Sequence, residues 1–313
     1  MSLSRNTRGA LLMMAAMAGF SGNDALIKAV TPVMNVGQIM CVRGIVTTVL
    51  VFFIARHLGA LRPWRVLLQP MILLRVLFEI LAAITYLTAI AAIPLANAAA
   101  ILQALPLVVT LGAAVFLGEP VGWRRWTAIA VGFVGVLIII RPGAEGFGLA
   151  SASVVLCTFF TAARDLATRQ VRSEVPSLMV TLATAVTGCV AGALLTQPMG
   201  GWRPMSLESF AILLSASVLV LVGYQCIIIA MRTGEISFIA PFRYFALLWA
   251  IVLGMIFFGD MPDLPMLAGI AIVIASGLYT FHRERKRQDE AIAETVSMEK
   301  PALTASSTAS EKP

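Results

Sequence analysis

The sequence predicts an all-α polytopic membrane protein in which ten transmembrane helices form two inverted five-helix repeats. Three observations lead to this prediction: the composition, the recurrence of apolar segments long enough to cross a bilayer, and an internal repeat. Hydrophobic residues make up 59% of the 313 residues and charged residues only 12%. Because soluble domains carry about a quarter charged residues, this composition excludes an ordinary water-soluble protein.

Apolar segments of about 20 residues recur along most of the chain, and a helix of this length crosses about 30 Å of hydrocarbon. Short polar connections separate the segments, so no soluble domain is inserted between them. The stretch 283–313 is rich in small and polar residues, and we expect a disordered cytoplasmic tail there. The predicted spans are 9–29, 36–55, 70–91, 94–117, 125–141, 148–168, 177–197, 209–231, 236–258 and 264–281.

Basic residues in the connections indicate the orientation of the chain through the positive-inside rule. Both termini and every second connection contain arginine or lysine, whereas the alternate connections contain only Arg141 and Arg203. Both termini are therefore predicted to be cytoplasmic, with the chain in the inner (plasma) membrane of a bacterium. Topology and anionic lipid headgroups account for the net charge of +7, so no nucleic-acid partner is expected.

An internal repeat is found when the sequence is shifted by 141 residues against itself. The predicted repeats cover 8–142 and 148–282, and each contains five spans. Five is an odd number, so the second repeat enters the membrane upside down, and inverted repeats of this kind support alternating access. The matching pairs are Asp24 with Asp165, Lys28 with Arg169, Gly118 with Gly259 and Glu119 with Asp260.

Several motifs resemble those of a known family. They are GEP at 118–120, GFVGVLIIIRPG in the fifth span, and CVRG, which contains Arg43, in the second span. Together with the two five-span halves, they resemble the drug/metabolite transporter superfamily, in its ten-span type with two EamA domains, over about residues 8–282. The stretches SGNDALIK, LRVLFE, VGWRRWTAIAVGFVGV and APFRY are most similar to bacterial S-adenosylmethionine uptake carriers, and riboflavin carriers share the architecture. The resemblance implies a transporter of a small metabolite.

Asn23, Asp24 and Lys28 are polar residues in the otherwise apolar first span, and we predict a role for them in coupling or gating. A charge inside a spanning helix is costly, so it usually faces a cavity or a partner. Asp24 and Lys28 lie four residues apart on one helix face, which favours an ion pair between them. The alternative is that Asp24 lines a vestibule with Asn23 and changes its partner during transport. Asp165 and Arg169, near the cytoplasmic face, have a mainly structural interpretation.

Glu79 is the fourth predicted coupling or gating residue, because it lies deep in the third span and the repeat offers only Val220 as its counterpart. Protonation would cancel its charge in the low-dielectric phase, which makes Glu79 a candidate for proton coupling. The alternative is a fixed ion pair with Arg75, four residues away, or with Arg243.

Arg243 lies near the middle of the ninth span, where Pro241 removes a backbone donor and favours a break in the helix. A guanidinium among aromatic rings binds carboxylate or phosphate groups or stacks on planar rings, so we predict that Arg243 contacts substrate. Its alternative role is a structural partner for Glu79 or for a carbonyl group. Interhelical hydrogen bonding is the alternative for each uncharged polar residue of the predicted pocket. The predicted substrate-binding residues are Arg243, Tyr244, Gln103, Tyr86, Asn97, Tyr224, Gln225 and Trp249.

The sequence lacks the residue patterns of an enzyme. Its only histidines, His57 and His282, flank the spans, and no HExxH, DDxxD or Walker A sequence is present. The cysteines have no metal-ligand spacing. We therefore predict no enzymatic activity, no catalytic residue, no metal site and no cofactor.

The residues and the resemblance together predict a secondary transporter that carries a small polar metabolite across the inner membrane. The expected substrate is planar or heterocyclic, like S-adenosylmethionine or riboflavin, and import is the expected direction; export of amino acids or drugs is the alternative. Without an ATP site, accumulation would draw on a proton gradient, exchange or metabolic trapping. The motif Gly188-x-x-x-Gly192 suits close helix contact, either within the chain or in a homodimer.

Overall fold

A computed structural model describes residues 4–118, 122–141, 148–171, 174–233 and 236–283. Regular secondary structure in these ranges is entirely helical. Residues 284–313 of the predicted tail, and two residues of the GEP motif, lie outside the described residues. The helices are α1 Arg5–Val30, α2 Val36–His57, α3 Pro70–Ile90, α4 Leu95–Leu102, α5 Leu105–Phe116, α6 Trp123–Ile140, α7 Gly148–Arg169, α8 Ser177–Thr196, α9 Leu207–Thr233, α10 Ile236–Ile239, α11 Phe245–Phe258 and α12 Leu264–Arg283, with 3-10 segments at Trp64–Leu68 and Ala240–Tyr244.

Nine helical segments of the described residues have the length and hydropathy of membrane spans. They coincide with nine predicted spans when α4 with α5, and Ala240–Tyr244 with α11, are each counted as one segment. The remaining predicted span corresponds to α6, whose apolar stretch, Trp126–Ile140, is shorter. The prediction of an all-helical, ten-span membrane protein is thus confirmed.

Two of the predicted spans are interrupted rather than continuous. The fourth is divided into α4 and α5 at Gln103, and the ninth contains the 3-10 segment Ala240–Tyr244 between α10 and α11. Pro241 lies in the second break, as its missing backbone donor predicts. The shift of 141 residues aligns Gln103 with Tyr244, so both repeats break at the same point. Discontinuous helices at corresponding positions are typical of substrate sites in transporters with inverted repeats.

Helix contacts between the two halves come in pairs that are related by exchanging the repeats. Helix α1 packs along α9, and its counterpart α7 packs along α3. In the same way α1 contacts α11 and α7 contacts α5. The contacts of α2 with α8 and of α4 with α11 join equivalent spans. This pattern is that of two inverted five-helix repeats, as the sequence predicts.

The two ends of the bundle are packed differently. We call the end at which α1 begins the N-terminal side, and the end at which α1 finishes the opposite side. At the N-terminal side one apolar cluster surrounds Met13 and Ile239, and a separate cluster surrounds Ile72 and Met179. These two clusters share no residue, so the bundle is divided at the N-terminal side. At the opposite side a large cluster with residues of both repeats and a smaller one around Ala25, Leu95 and Ala250 both pack against Ala99, and we call them together the continuous core that closes this side. Members of that core include Ile27, Ile90, Ile139, Leu213 and Met266.

Glycine allows α2 and α8 to approach each other closely. A Cβ atom added at Gly192 would lie 2.4 Å from the backbone nitrogen of Cys41, and one added at Gly44 would lie 2.6 Å from Cα of Cys189. The sulfur atoms of Cys41 and Cys189 are 4.0 Å apart. A Cβ atom added at Gly188 would meet no atom within 4 Å. Gly192 of the predicted small-residue motif thus serves a contact within the chain, and a homodimer stays a prediction.

Replacing Gly192 by alanine is expected to lower the thermal stability of the purified protein, because the new methyl group would meet the backbone of α2. Overpacking of this kind costs about 1–3 kcal/mol. Gly188→Ala is the matched control, since it lies one turn away on the same helix and in open space. Scanning fluorimetry in detergent compares the two; equal melting temperatures would contradict the close packing of α2 on α8.

Candidate functional site

A hydrogen-bonded group of side chains, the Asp24 cluster, joins α1, α2 and α3. It consists of Asn23, Asp24, Arg43 and Tyr86. The Tyr86 hydroxyl donates to Oδ2 of Asp24 at 2.7 Å, and Nδ2 of Asn23 donates to Oδ1 of Asp24 at 2.8 Å. The Arg43 guanidinium donates to Oδ1 of Asn23 at 3.1 Å and attracts the Asp24 carboxylate. Three predicted site residues, Asn23, Asp24 and Tyr86, are thereby brought together.

A second group, the Arg164 cluster, consists of Glu79, Arg164 and Asp165 and joins α3 to α7. Nη1 of Arg164 lies 3.1 Å from Oε2 of Glu79, and Nη2 lies 2.8 Å from Oδ1 of Asp165. The side chains of Arg164 and Glu79 are 21% and 26% exposed, so this ion pair is partly buried. One guanidinium thus serves two carboxylates that belong to different repeats.

The partners expected for Glu79 from the sequence, Arg75 and Arg243, were wrong. Arg75 donates instead to the hydroxyl of Thr184 on α8, at 2.7 Å. Helix α3 packs along α7, and Arg164 on that helix therefore reaches the Glu79 carboxylate.

Tyr224 of α9 indicates a polar hollow between the two clusters. The residue is 49% exposed, and it lies within electrostatic reach of Glu79 and Arg164 of one cluster region and of Arg43 of the other. Charged side chains within spans usually face a water-filled cavity or a partner, so an exposed tyrosine beside them indicates a water-accessible space. The Phe20 ring, whose centroid lies 5.1 Å from that of Tyr224, adds an aromatic wall. We call this space between the Asp24 cluster and the Arg164 cluster the central hollow.

Lys28 does not form the predicted ion pair with Asp24. Its Nζ donates to the carbonyl oxygen of Ile90, the last residue of α3, at 2.9 Å and to that of Ile93, in the connection to α4, at 2.5 Å. The last carbonyl groups of a helix lack partners within the helix and carry partial negative charge, so they attract an ammonium group. Asp24 is already satisfied by the neutral donors of its own cluster.

A cavity of about 350 Å³ lies on the opposite side, at the ends of α6 and α11. Asn97, predicted to lie in a central pocket, lines this peripheral cavity instead. Arg141 and Asp263 form an ion pair at its edge, and the hydrogen bond from Arg141 holds the pKa of the Asp263 carboxyl below its usual value. Asp260 also lines the cavity, and its Oδ2 is buried without a hydrogen-bond partner among the described residues.

Arg243 and Tyr244 lie on the 3-10 segment that interrupts the ninth span. Arg243 is exposed, and within the described part of the chain no hydrogen bond or ion pair holds it. The Tyr244 hydroxyl packs against Gly277 of α12, where an added Cβ atom would lie 2.0 Å away from it. Neither residue hydrogen-bonds to a described member of the Asp24 or Arg164 cluster.

Gln103, Gln225 and Trp249 are the remaining predicted substrate-binding residues. Gln103 lies at the break between α4 and α5, and its Nε2 is buried without a hydrogen-bond partner among the described residues. Gln225, next to Tyr224 on α9, is exposed, and Trp249 on α11 is 38% exposed. Two of these three side chains are therefore accessible.

Arg164 was not identified as a site residue from the sequence. Arg43 was named only as part of the motif CVRG and was given no role. Asp165, given a mainly structural interpretation, belongs to the Arg164 cluster. The repeat contained a signal, because the shift that aligns Asp24 with Asp165 also aligns Asn23 with Arg164. The two clusters are thus built on corresponding positions of α1 and α7.

The two clusters offer paired charges and hydrogen bonds to a solute. Among the described residues no group of three or more metal-ligating side chains is present. Partly exposed ion pairs within a bilayer can bind a polar solute and can change partners when helices move. The arrangement therefore suits reversible binding of a solute inside the membrane.

Arg164→Gln is expected to lower the melting temperature in detergent, because Glu79 and Asp165 would both lose their cationic partner. Breaking a fully buried pair costs about 3–5 kcal/mol, and partial exposure reduces the expected cost here to about 1–3 kcal/mol. Adding Glu79→Gln should recover part of the loss, with a coupling energy of about 0.5–3 kcal/mol in a double-mutant cycle. Arg75→Gln, which removes a bond to a neutral hydroxyl, should cost less. Strictly additive effects would contradict the ion pair.

The EamA-like transporter family matches the chain twice, over residues 7–141 and 148–281. The chain is 29% identical over 231 residues to the riboflavin transporter of Rhizobium johnstonii, with 72% of each protein covered. It is 29% identical over 279 residues to the pseudopaline exporter of Pseudomonas aeruginosa, with 85% of this chain and 94% of the exporter covered. It is 28% identical over 206 residues to the S-adenosylmethionine uptake transporter of Rickettsia bellii, with 64% and 68% covered.

One chain of known structure has the same fold, with a TM-score of 0.61 at 16% sequence identity, and the match covers 88% of this chain and 97% of that chain. The resemblance to the drug/metabolite transporter superfamily is confirmed. The relatives are transporters and not enzymes, in agreement with the sequence prediction. The chain is a multi-pass membrane transporter that belongs to the EamA-like transporter family.

Proposed function

We propose that this transporter carries a small polar metabolite through the central hollow by alternating access. The observation that carries the proposal is the uneven packing of the bundle, closed at the opposite side and divided at the N-terminal side. A carrier that alternates must have one closed side and one open side around its substrate site. The central hollow lies between α1, α3, α7 and α9, which include the helices that separate at the N-terminal side.

The proposed orientation has both termini in the cytoplasm of a bacterium, with the chain in the inner membrane. The positive-inside rule supports this, because basic residues concentrate in the connections on the N-terminal side. In this orientation the structure corresponds to the conformation that is open to the cytoplasm.

The proposed substrate is planar or heterocyclic, of the S-adenosylmethionine or riboflavin kind, and the proposed direction is import. Tyr86, Tyr224 and Phe20 give the hollow aromatic surfaces, on which planar rings stack. The paired charges of the Arg164 cluster supply groups that can exchange partners with a polar substrate. The names of the relatives agree with this class of solute: riboflavin and S-adenosylmethionine are both heterocyclic, and pseudopaline export supports the alternative of export.

The proposed substrate contacts follow the accessibility of the predicted residues. Tyr86, Tyr224 and Gln225 are the proposed contacts in this conformation, since Tyr224 faces the hollow and Gln225 is its exposed neighbour. The other predicted residues lie on or beside the two broken spans, and we propose that they contact substrate after the spans move. They are Gln103, Tyr244, Arg243, Trp249 and Asn97. The amide nitrogen of Gln103, which has no hydrogen-bond partner among the described residues, supports this, because buried donors without partners are rare in folded proteins.

Asp24 is the proposed proton-coupling residue, in preference to Glu79. The hydrogen-bond donors to Asp24, Tyr86 and Asn23, are both neutral. Glu79 is bound directly to the Arg164 guanidinium, and an ion pair favours the charged carboxylate. Arg43 reaches the cluster through Asn23, so a proton on Asp24 leaves that hydrogen bond intact.

Tyr224→Ala is expected to reduce uptake of labelled S-adenosylmethionine or riboflavin into proteoliposomes by about fivefold or more, since loss of base–aromatic stacking costs about 1–3 kcal/mol. Tyr279→Ala is the matched control, because Tyr279 is an exposed tyrosine of α12. Equal uptake by both variants would contradict the central hollow as the substrate site, and absence of uptake of both solutes by the unaltered protein would contradict the proposed substrate class.

Unchanged uptake by Arg243→Ala would remove Arg243 from the site.

An inward proton gradient is expected to accelerate uptake by the unaltered protein and to have no effect on Asp24→Asn. The reason is that asparagine keeps the shape of the side chain but cannot carry the proton. Glu79→Gln is the paired variant, and it should keep its response to the gradient. Proteoliposome uptake with and without the gradient measures both, and a response that survives in Asp24→Asn but not in Glu79→Gln would reverse the assignment.

A further inference from the structure

Lys28 lies at the closed side of the bundle, where its ammonium group binds backbone carbonyl groups of another helix segment. Its ammonium group has three donors and no acceptor, and two of its contacts are the carbonyl oxygens of Ile90 and Ile93. Ile90 is the last residue of α3, and Ile93 lies in the connection to α4. Lys28 thus joins α1 to the end of α3, where helix geometry leaves the last carbonyl groups without partners, and to the connection that follows it.

The same ammonium group also interacts with the end of α11. Its Nζ lies 5.4 Å from the centroid of the Phe258 ring, and the Asp260 carboxylate attracts it. Phe258 ends α11, and Asp260 follows two residues later. One positive charge therefore connects helices of both repeats, α1 and α3 of the first and α11 of the second.

The apolar residues around Lys28 belong to the continuous core that closes the opposite side. Ile27, Val30, Ile90 and Ile93 are each at most 1% exposed. An ammonium group beside such residues is retained only where it is bound to polar groups. The cavity of about 350 Å³ lies directly beyond, since Asp260 lines it as well.

We propose that Lys28 is the gating residue of the opposite side: its ammonium group holds α1, α3 and α11 together, and the opposite side opens when Nζ leaves the carbonyl oxygens of Ile90 and Ile93. The proposal rests on the alternating access proposed above. On opening, water replaces the two carbonyl groups as ligands of the ammonium, so the charge remains solvated in both conformations.

Removing the ammonium group shifts the equilibrium towards the conformation that is open at the opposite side. Lys28→Met keeps an unbranched apolar stem, which is one atom shorter, but removes the charge and its donors. Lys28→Arg keeps the positive charge and the hydrogen-bond donors. A purely structural lysine would behave differently, because its loss would lower stability without opening the cavity to solvent.

Cysteine accessibility tests the gate. The reporter is Ala96→Cys, in a background whose native cysteines are replaced by serine, because Ala96 lines the cavity and is only 3% exposed. A membrane-impermeant maleimide is added from the opposite side of vesicles that contain the protein, without substrate and without a gradient. Lys28→Met should be labelled about tenfold faster or more than the lysine form, the factor expected for loss of one hydrogen bond to a charged group, and Lys28→Arg should stay near the lysine form.

Asp263→Asn is the matched control, because it breaks the ion pair with Arg141 on the same side without touching α1, α3 or α11. Equal labelling of Lys28→Met and the lysine form, or equal acceleration by Asp263→Asn, overturns the proposal. If Lys28→Met fails to fold, Asp260→Asn carries the test, with a smaller acceleration expected and its absence overturning the proposal. Labelling requires no substrate, so failure of the gate and failure of the proposed substrate are distinguished: faster labelling with no uptake of either solute leaves the gate in place.

Discussion

The low dielectric constant of a bilayer decides where this chain can carry charge. A charged side chain near the centre of a spanning helix costs about 2.5–3.5 kcal/mol on insertion scales unless it meets a partner or water. Asp24, Glu79, Arg164 and Asp165 all lie within spans, and each is both hydrogen-bonded and partly exposed. Pairing together with partial exposure is what a water-accessible hollow provides. The charges that could not have been left in hydrocarbon therefore mark the polar interior of the bundle.

The helices of the two repeats are more symmetric than their side chains. Both repeats break their fourth span at corresponding residues, Gln103 and Tyr244, and their helix contacts exchange in pairs. Yet the position of Asn23 in the first repeat is occupied by Arg164 in the second, and Glu79 has an apolar counterpart. Symmetric helices give the bundle two related shapes. Asymmetric side chains give those shapes different polar surroundings for a solute, and only a difference in affinity between two states allows a ligand to shift them.

The spans and the repeat were predictable because hydropathy and internal similarity are properties of the chain itself. The partners of the buried charges were not predictable in the same way. The sequence predicts that Lys28 binds Asp24, four residues away, but the structure gives it the carbonyl oxygens of Ile90 and Ile93, backbone atoms that no residue pattern marks. The partner of Glu79 likewise depends on which helix packs beside α3. The order of helices in space follows from packing, and one sequence carries little signal for it.

Proline marks both broken spans, because Pro241 lies in the break of the ninth span and Pro106 is the second residue of α5, directly after the break of the fourth. Proline removes a donor wherever it stands, so its effect on a helix is local and readable. Gln103 itself carries no such signal, and its alignment with Tyr244 shows that the two breaks correspond. Aligning one half with the other therefore yields information that neither half contains alone, and the same alignment identifies Arg164 as the counterpart of Asn23.

Because the repeats are alike, opening one side of the bundle exposes surfaces similar to those that closing the other side covers. In the proposed alternation, packing lost from the continuous core at the opposite side would be offset by joining the two separate clusters at the N-terminal side. The free energies of the two conformations would then differ by only a few kcal/mol, although each contains a large packing contribution. Ligands shift conformational equilibria over differences of this size. A hydrogen bond to a charged group contributes about 1.5–3 kcal/mol, which is a large part of such a remainder. A single ammonium group such as that of Lys28 can therefore control access in a bundle whose two states are nearly balanced, whereas in a rigid core the same contact would change only the stability.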